Sequence, residues 1–272
     1  MPRRHRMPEA EKAALRGGRA FDFWSRGLRL RGHIWGEGPA VALLHGWEGR
    51  GAQFHAFIQP LVSAGFSAVT FDQPGHGASR GLRAGPVEWS QALGAFVDEI
   101  GPIHGLVAHS LGAAGVAIAM DQGLLTVPRA VFLSPPAAPD PFYAGLLAMM
   151  GFPQEEHAAA FESYGTSIGI PWDRLRLRSL ARRLSAPLLV IHDRDDREVP
   201  WTSGAEVASA WPSARLLVTE GLGHRRILRD AAVIGQAVTF LREAPVPATL
   251  PFHGDGPRSL EWHLFHRDLR TA

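Results

Sequence analysis

The stretch Ala108-His109-Ser110-Leu111-Gly112-Ala113 decides how this chain folds. Residues 106–108 read as a short buried strand, and the apolar run from Leu111 to Met120 reads as a helix that begins at once. A serine at so sharp a strand-to-helix turn is lifted clear of the sheet, with its hydroxyl at the C-terminal edge of the strands. Gly112, two residues on, lets strand and helix approach. Ala108 takes the matching place before the serine. The helix start also turns its N-terminal amides and positive dipole end toward Ser110. The plain alternative is a serine that only caps the helix.

Working outward, short apolar runs alternate with helical patterns. Residues 28–35, 41–44, 68–71, 106–108, 130–133, 188–192 and 215–218 read as strands. Residues 54–64, 87–100 and 233–242 carry apolar side chains at helical spacing. Strands alternating with helices predict an α/β fold with a predominantly parallel sheet flanked by helices. Two segments interrupt the pattern. About fifty residues between Pro135 and Pro187 exceed what one crossover needs. They hold Phe142, Leu146, Met149 and Met150 on one helical face, which predicts a small helical insertion at about 136–186. The division expected is an N-terminal extension, 1–19, a main domain, 20–243, and a Pro-rich C-terminal tail, 244–272, in which Trp262, Leu264 and Phe265 argue for some packing.

Composition narrows the chemistry. The chain has 272 residues, 46% of them hydrophobic, enough to bury a sizeable core. It has no cysteine, which excludes disulfides, thiolate metal sites and a cysteine nucleophile. The formal net charge is +2, and Lys12 is the only lysine. The arginines are scattered except at Arg3-Arg4-His5-Arg6 and between 174 and 183, where they interleave with leucines, and both stretches read as solvated faces. They do not form the clustered stripe of a nucleic-acid footprint, so no nucleic-acid partner is expected. The longest apolar run has ten residues and ends at Asp121, where a membrane span needs about twenty. The first nineteen residues lack the apolar stretch of a signal peptide. A soluble, cytoplasmic protein is the expectation.

A nucleophilic serine needs a base. His224 lies in Glu220-Gly221-Leu222-Gly223-His224, just after a strand, where two glycines let an imidazole be placed closely. Thirteen histidines make any single one a weak signal. His224 stands out because an acidic cluster, Asp193-Arg194-Asp195-Asp196-Arg197-Glu198-Val199-Pro200, follows the preceding strand. The chain order is then serine, acid, histidine.

With these residues in place, the sequence resembles the α/β-hydrolase fold superfamily over roughly residues 20–243, nearest to its serine-hydrolase and esterase-like branch. The resemblance rests on His45-Gly46-Trp47, Asp72-Gln73-Pro74-Gly75-His76-Gly77-Ala78-Ser79, the serine turn, the acid loop and Gly223-His224, each after a predicted strand. Two positions depart from the usual pattern: Ala108 and Asp193 stand where glycine is common. Matching Val199-Pro200 to the family's acid loop puts the acid at Asp196, with Asp193 and Asp195 as rivals. The resemblance implies a Ser110–His224–Asp196 triad, with the backbone N–H groups of Leu111 and Trp47 as oxyanion donors, and makes the insertion at about 136–186 a lid in which Phe142, Leu146, Met149 and Met150 roof the substrate pocket. It implies a small-molecule substrate cleaved at a carboxylic ester or thioester through an acyl-enzyme, with no cofactor. Perhydrolase and carbon–carbon bond hydrolase chemistry use the same triad, and a non-catalytic ligand-binding member is the rival from another class.

Other candidates weigh less. The turn at 72–79, His76 and His109 read as structural. His263 and His266 share a helical spacing but have no apparent third ligand, so no metal site is expected. Oligomeric state is not legible in the sequence.

Overall fold

Alternating side chains explain why the central strands are buried on both faces. In β3 (Ala40–Leu44) Val41 and Leu43 point to one side and Ala42 and Leu44 to the other, all at most 1% exposed. Three further strands repeat this period of two: β5 (Gly105–His109), β6 (Ala130–Leu133) and β7 (Leu188–Asp193). The computed structural model describes residues 5–82 and 84–243 of the chain. The expectations for the Pro-rich tail, including His263 and His266, lie outside the described residues.

Eight strands form one sheet in the order β1-β2-β4-β3-β5-β6-β7-β8. The outer strands are β1 (Arg19–Ser25), β2 (Leu28–Trp35), β4 (Ser67–Phe71) and β8 (Ala214–Thr219). β1–β2 and β2–β4 pair antiparallel, and the other five pairings are parallel. β1 is an addition to the strands expected from sequence. Only Phe23 and Ser25 of it are buried, which makes it a one-sided edge strand.

Helices cover both faces. One face packs α3 (Pro86–Ile100), α4 (Leu111–Asp121), α7 (Leu177–Ala181) and α8 (Trp201–Ala210). The other packs α2 (His55–Ser63) and α10 (Ala231–Arg242). Residues 111–119 of α4 are all buried, which accounts for its unbroken apolar sequence. The apolar residues between arginines 174 and 183 belong to this core: Leu175, Leu177 and Leu180 are at most 3% exposed. Their arginines turn outward, and Arg174 and Arg183 both pair with Asp121.

The insertion after β6 is helical. α5 (Asp140–Met149) and α6 (His157–Ile168) stand over the sheet edge. The Trp172 ring stacks on Phe161, with centroids 4.5 Å apart, and meets Tyr143 edge-on. The Trp172 indole N–H and the Arg176 guanidinium both donate to Asp140, which ties the start of α5 to the return of the chain.

The N-terminal segment is part of this body. α1 (Glu9–Arg16) packs beside the 3₁₀ turn Gly51–Phe54, and the Trp35 indole donates to the Ala14 carbonyl at 2.9 Å. The Arg50 guanidinium forms a nearly buried ion pair with Glu11. It also donates to the carbonyls of His5 and Arg6.

Candidate active site

Four of the sequence-identified positions converge at the C-terminal ends of parallel strands. Trp47 follows β3, Ser110 follows β5, Asp196 follows β7, and His224 opens the short helix α9 (Gly223–Arg226) after β8. Trp47, Ser110, Leu111 and His224 line one cavity of about 600 Å³, together with Phe142, Val199 and Leu228.

Ser110 adopts φ 52° and ψ −127°. Such a backbone for a non-glycine residue costs about 1–3 kcal/mol and persists only where the surroundings enforce it. Here β5 and α4 enforce it. The Ser110 amide donates to Leu133 of β6, and the Ser110 carbonyl accepts from Ala113 in the first turn of α4. A methyl group on Gly112 would lie 2.7 Å from the His45 carbonyl oxygen and 2.9 Å from that of Leu44. Glycine at 112 is thus required by the approach of α4 to the end of β3. Ala108 is fully buried in the same turn, and its methyl is accommodated in the core.

The loop after β3 lies against the serine. A methyl on Gly46 would come within 2.9 Å of Ser110 Cβ and 3.4 Å of the Leu111 nitrogen. Two buried histidines fix this loop, each in a defined tautomer. His45 donates from Nδ1 to the Gly46 carbonyl and accepts at Nε2 from the Gln73 amide. His76 donates from Nδ1 to the Pro74 carbonyl and accepts at Nε2 from the Glu48 amide. Both rings must stay neutral to accept these bonds. Burial pushes His45 well below the ordinary imidazole range, with His76 adding to the effect. Burial also lowers His76, against the Pro74 carbonyl. The turn at 72–79 anchors the loop from below: the Asp72 carboxylate accepts from the amides of Gly51 and Ala78.

The three aspartates at and after the end of β7 have distinct partners. Asp196 Oδ2 accepts from His224 Nδ1 at 2.7 Å, and its Oδ1 accepts from the amides of Glu198 and Val199. Burial raises the Asp196 carboxyl, but donors from His192, His224 and Val199 outweigh it and hold the group well below the usual carboxylate range. Asp193 is turned away from the cavity. It accepts from the amides of Asp195, Leu222 and Gly223 and from the Thr219 hydroxyl, so it joins the acid loop to the histidine loop. Asp195 accepts from the Gly221 amide. The acidic cluster is therefore one carboxylate facing His224, two that shape the loops around it, and Glu198, which pairs with Arg225.

His109, adjacent to the serine, packs its ring 4.6 Å from that of His224 and donates from Nε2 to the His224 carbonyl at 2.8 Å. Burial, with the neighbouring His224 second, pushes it down to about 3. It stays uncharged and holds the backbone of the other histidine.

The roof divides the face expected from sequence. Phe142 lines the cavity and meets the Trp47 indole edge-on at 5.0 Å. Leu146, Met149 and Met150 lie away from it, exposed by 44%, 80% and 64%. α5 docks through its first turn, so one helical stripe touches the cavity at its start and faces solvent farther along. Residues not expected at the site complete the walls: His5 and Arg6, from a basic stretch that reads as a solvated face, with Glu11 and Arg50. Nothing in the pattern of a charged N-terminal helix signals this.

Among the described residues, no group of three histidine or acidic side chains is placed to hold a metal. No described helix is long and apolar enough to cross a membrane.

Residues 41–236 match the Alpha/beta hydrolase family, and the chain belongs to that family. Solved structures agree on the fold. An esterase from Pyrococcus furiosus is 22% identical, with TM-score 0.68, covering 89% of this chain and 98% of its own. A bromoperoxidase from Bacillus anthracis is 18% identical, with TM-score 0.64, covering 83% and 99%. A meta-cleavage product hydrolase from Pseudomonas fluorescens is 19% identical, with TM-score 0.61, covering 82% and 97%. The comparison with curated proteins finds no match.

Proposed function

We propose that this α/β-hydrolase is a serine hydrolase that cleaves a carboxylic ester through an acyl-enzyme. The observation that carries the reading is the 2.7 Å bond from His224 Nδ1 to a buried Asp196, on the wall of the cavity that Ser110 also lines. That bond commits the imidazole to the tautomer with its proton on Nδ1 and leaves Nε2 as the base.

In this mechanism His224 Nε2 takes the Ser110 proton as Oγ attacks the ester carbon. The tetrahedral oxyanion is met by the Leu111 and Trp47 amides. Leu111 is the first residue of α4, where backbone N–H groups have no partner within the helix. The bond to the alcohol oxygen breaks as His224 returns the proton to it. Water, activated by the same histidine, then attacks the acyl-serine and releases the acid. Phe142 and Trp47 give the acyl group an apolar roof and keep water from the intermediate.

A fluorophosphonate probe tests the reading on the full chain. Labelling at Ser110, lost in Ser110→Ala, together with turnover of p-nitrophenyl esters, is the expected result. An unlabelled, correctly folded protein would leave only the ligand-binding reading.

A further inference from the structure

The Asp196 carboxylate is ringed by donor groups, and one of them is a second imidazole that has no part in the mechanism above. Oδ1 accepts two backbone amides at 2.9 Å each. Oδ2 accepts His224 Nδ1 at 2.7 Å and lies 3.3 Å from Nε2 of a second imidazole, His192. Both the Asp196 and His192 side chains are fully buried. A carboxylate offers about four lone-pair sites; three hydrogen bonds are made here, and His192 Nε2 lies within ion-pair distance of the fourth.

His192 is the last residue but one of β7, and its Nε2 also lies 3.0 Å from the Val199 carbonyl. Two acceptors on one nitrogen place the proton there. Its Nδ1 is then an acceptor, and among the described residues it is buried with no partner. Leaving such a group unsatisfied costs about 1–3 kcal/mol, whereas a phenylalanine or leucine would fill the space without that loss. α8 also gives way to the ring: a methyl on Gly204 would sit 2.4 Å from His192 Nδ1. Packing alone does not account for a histidine here. A donor aimed at the acid loop does.

Building on the serine-hydrolase reading, we propose that His192 is a positioning residue for the reaction. Its Nε2–H, shared between Asp196 Oδ2 and the Val199 carbonyl, fixes the rotation of the carboxylate and so the angle at which Asp196 meets His224. Without it, the second lone pair of Oδ2 would face a dry pocket. The carboxylate would then turn to share its donors, and the His224 ring would turn with it. A misplaced catalytic group is costly even when it remains present.

The test compares His192→Phe, His192→Gln and His192→Asn in the full chain. A glutamine amide reaches the place of Nε2 and can donate there, whereas the shorter asparagine does not. The readouts are kcat and KM on one p-nitrophenyl ester and the downfield proton resonance of the His224–Asp196 bond. The expected result is that His192→Phe and His192→Asn lower kcat about tenfold with little change in KM and shift the resonance, while His192→Gln stays within about threefold of the wild type. Wild-type kcat and an unmoved resonance in His192→Asn would overturn the proposal, whatever happens to the melting temperature. Equal loss in His192→Gln and His192→Asn would overturn it as well. If His192→Phe does not fold, the Gln and Asn pair decides. Failure of the serine-hydrolase reading is separate, because the wild-type protein would then neither label at Ser110 nor turn over the ester.

Discussion

Gly46 and Ser110 are packed so closely that a single methyl group on the first would come within 2.9 Å of the Cβ of the second. The same methyl would meet the His109 carbonyl oxygen at 3.0 Å. The loop carrying the Trp47 amide and the turn carrying Ser110 are thus one unit.

Gly46→Ala should push these two turns apart and withdraw the Trp47 amide from the oxyanion. Loss of one such donor lowers kcat about 10²–10³-fold. Steady-state kinetics on a p-nitrophenyl ester, with circular dichroism to verify folding, checks this. Near-normal kcat would remove Trp47 from the oxyanion site.

The three loop acids should separate by phenotype. Asp196→Asn should lower kcat about 10⁴-fold with the fold intact, because His224 loses its tautomer and orientation. Asp193→Asn breaks a junction of four donors between two loops and should cost about 2–3 kcal/mol of stability, read by urea denaturation. Asp195→Asn should do least to either. If Asp193→Asn proved the most damaging to kcat at full stability, the acid would be reassigned.

Stability should depend on His109 in weakly acidic solution. Its pKa falls from 6.5 unfolded to about 3 folded. Between those values the unfolded chain binds the proton and the folded one does not, so stability is full above pH 6.5 and declines as pH falls through this window. From pH 6.5 to about pH 5 the loss from this one group is about 2 kcal/mol. His109→Gln should show correspondingly less decline over the same interval, measured by urea unfolding. Asp196 acts with the same sign, but its stabilisation is lost only as pH falls below its unfolded value of 3.8. An equal decline in both proteins would show that His109 is not held neutral.

The roof prediction is specific to one residue of α5. Phe142→Ala should change the ratio of kcat/KM between short and medium acyl esters by about fivefold or more, because it opens the wall over Trp47. Met149→Ala and Met150→Ala, at exposed positions, should leave that ratio and the melting temperature unchanged. A change of ratio in the methionine variants would mean that α5 closes farther over the cavity during turnover.

What the sequence made legible followed from strong local patterns. The strands from β2 to β8 were readable because their apolar runs are short and bounded by turn residues. The serine turn was readable from the abrupt change of period at Ser110. The face of α5 misled because helical periodicity tells which residues share a side but not how much of the helix is covered. β1 was missed because only two of its residues are buried. The roles of Asp193 and His192 were hidden for another reason. A carboxylate that binds loop amides and one that binds an imidazole look identical as letters, and only the register of β7 against β8 separates them.

The pairing of Arg50 with Glu11 also bears on where this enzyme can be cut or joined. The family match begins at residue 41, and a protein engineer trimming or recombining domains by that boundary would discard β1 and β2 of the sheet together with α1 and the segment before it. That segment supplies part of the cavity wall through His5, Arg6 and Glu11. Losing it would leave Arg50 without its nearly buried partner and remove one side of that wall. A chimera that inherits only β1 onward from this protein would carry Ser110, Asp196 and His224 with another protein's doorway.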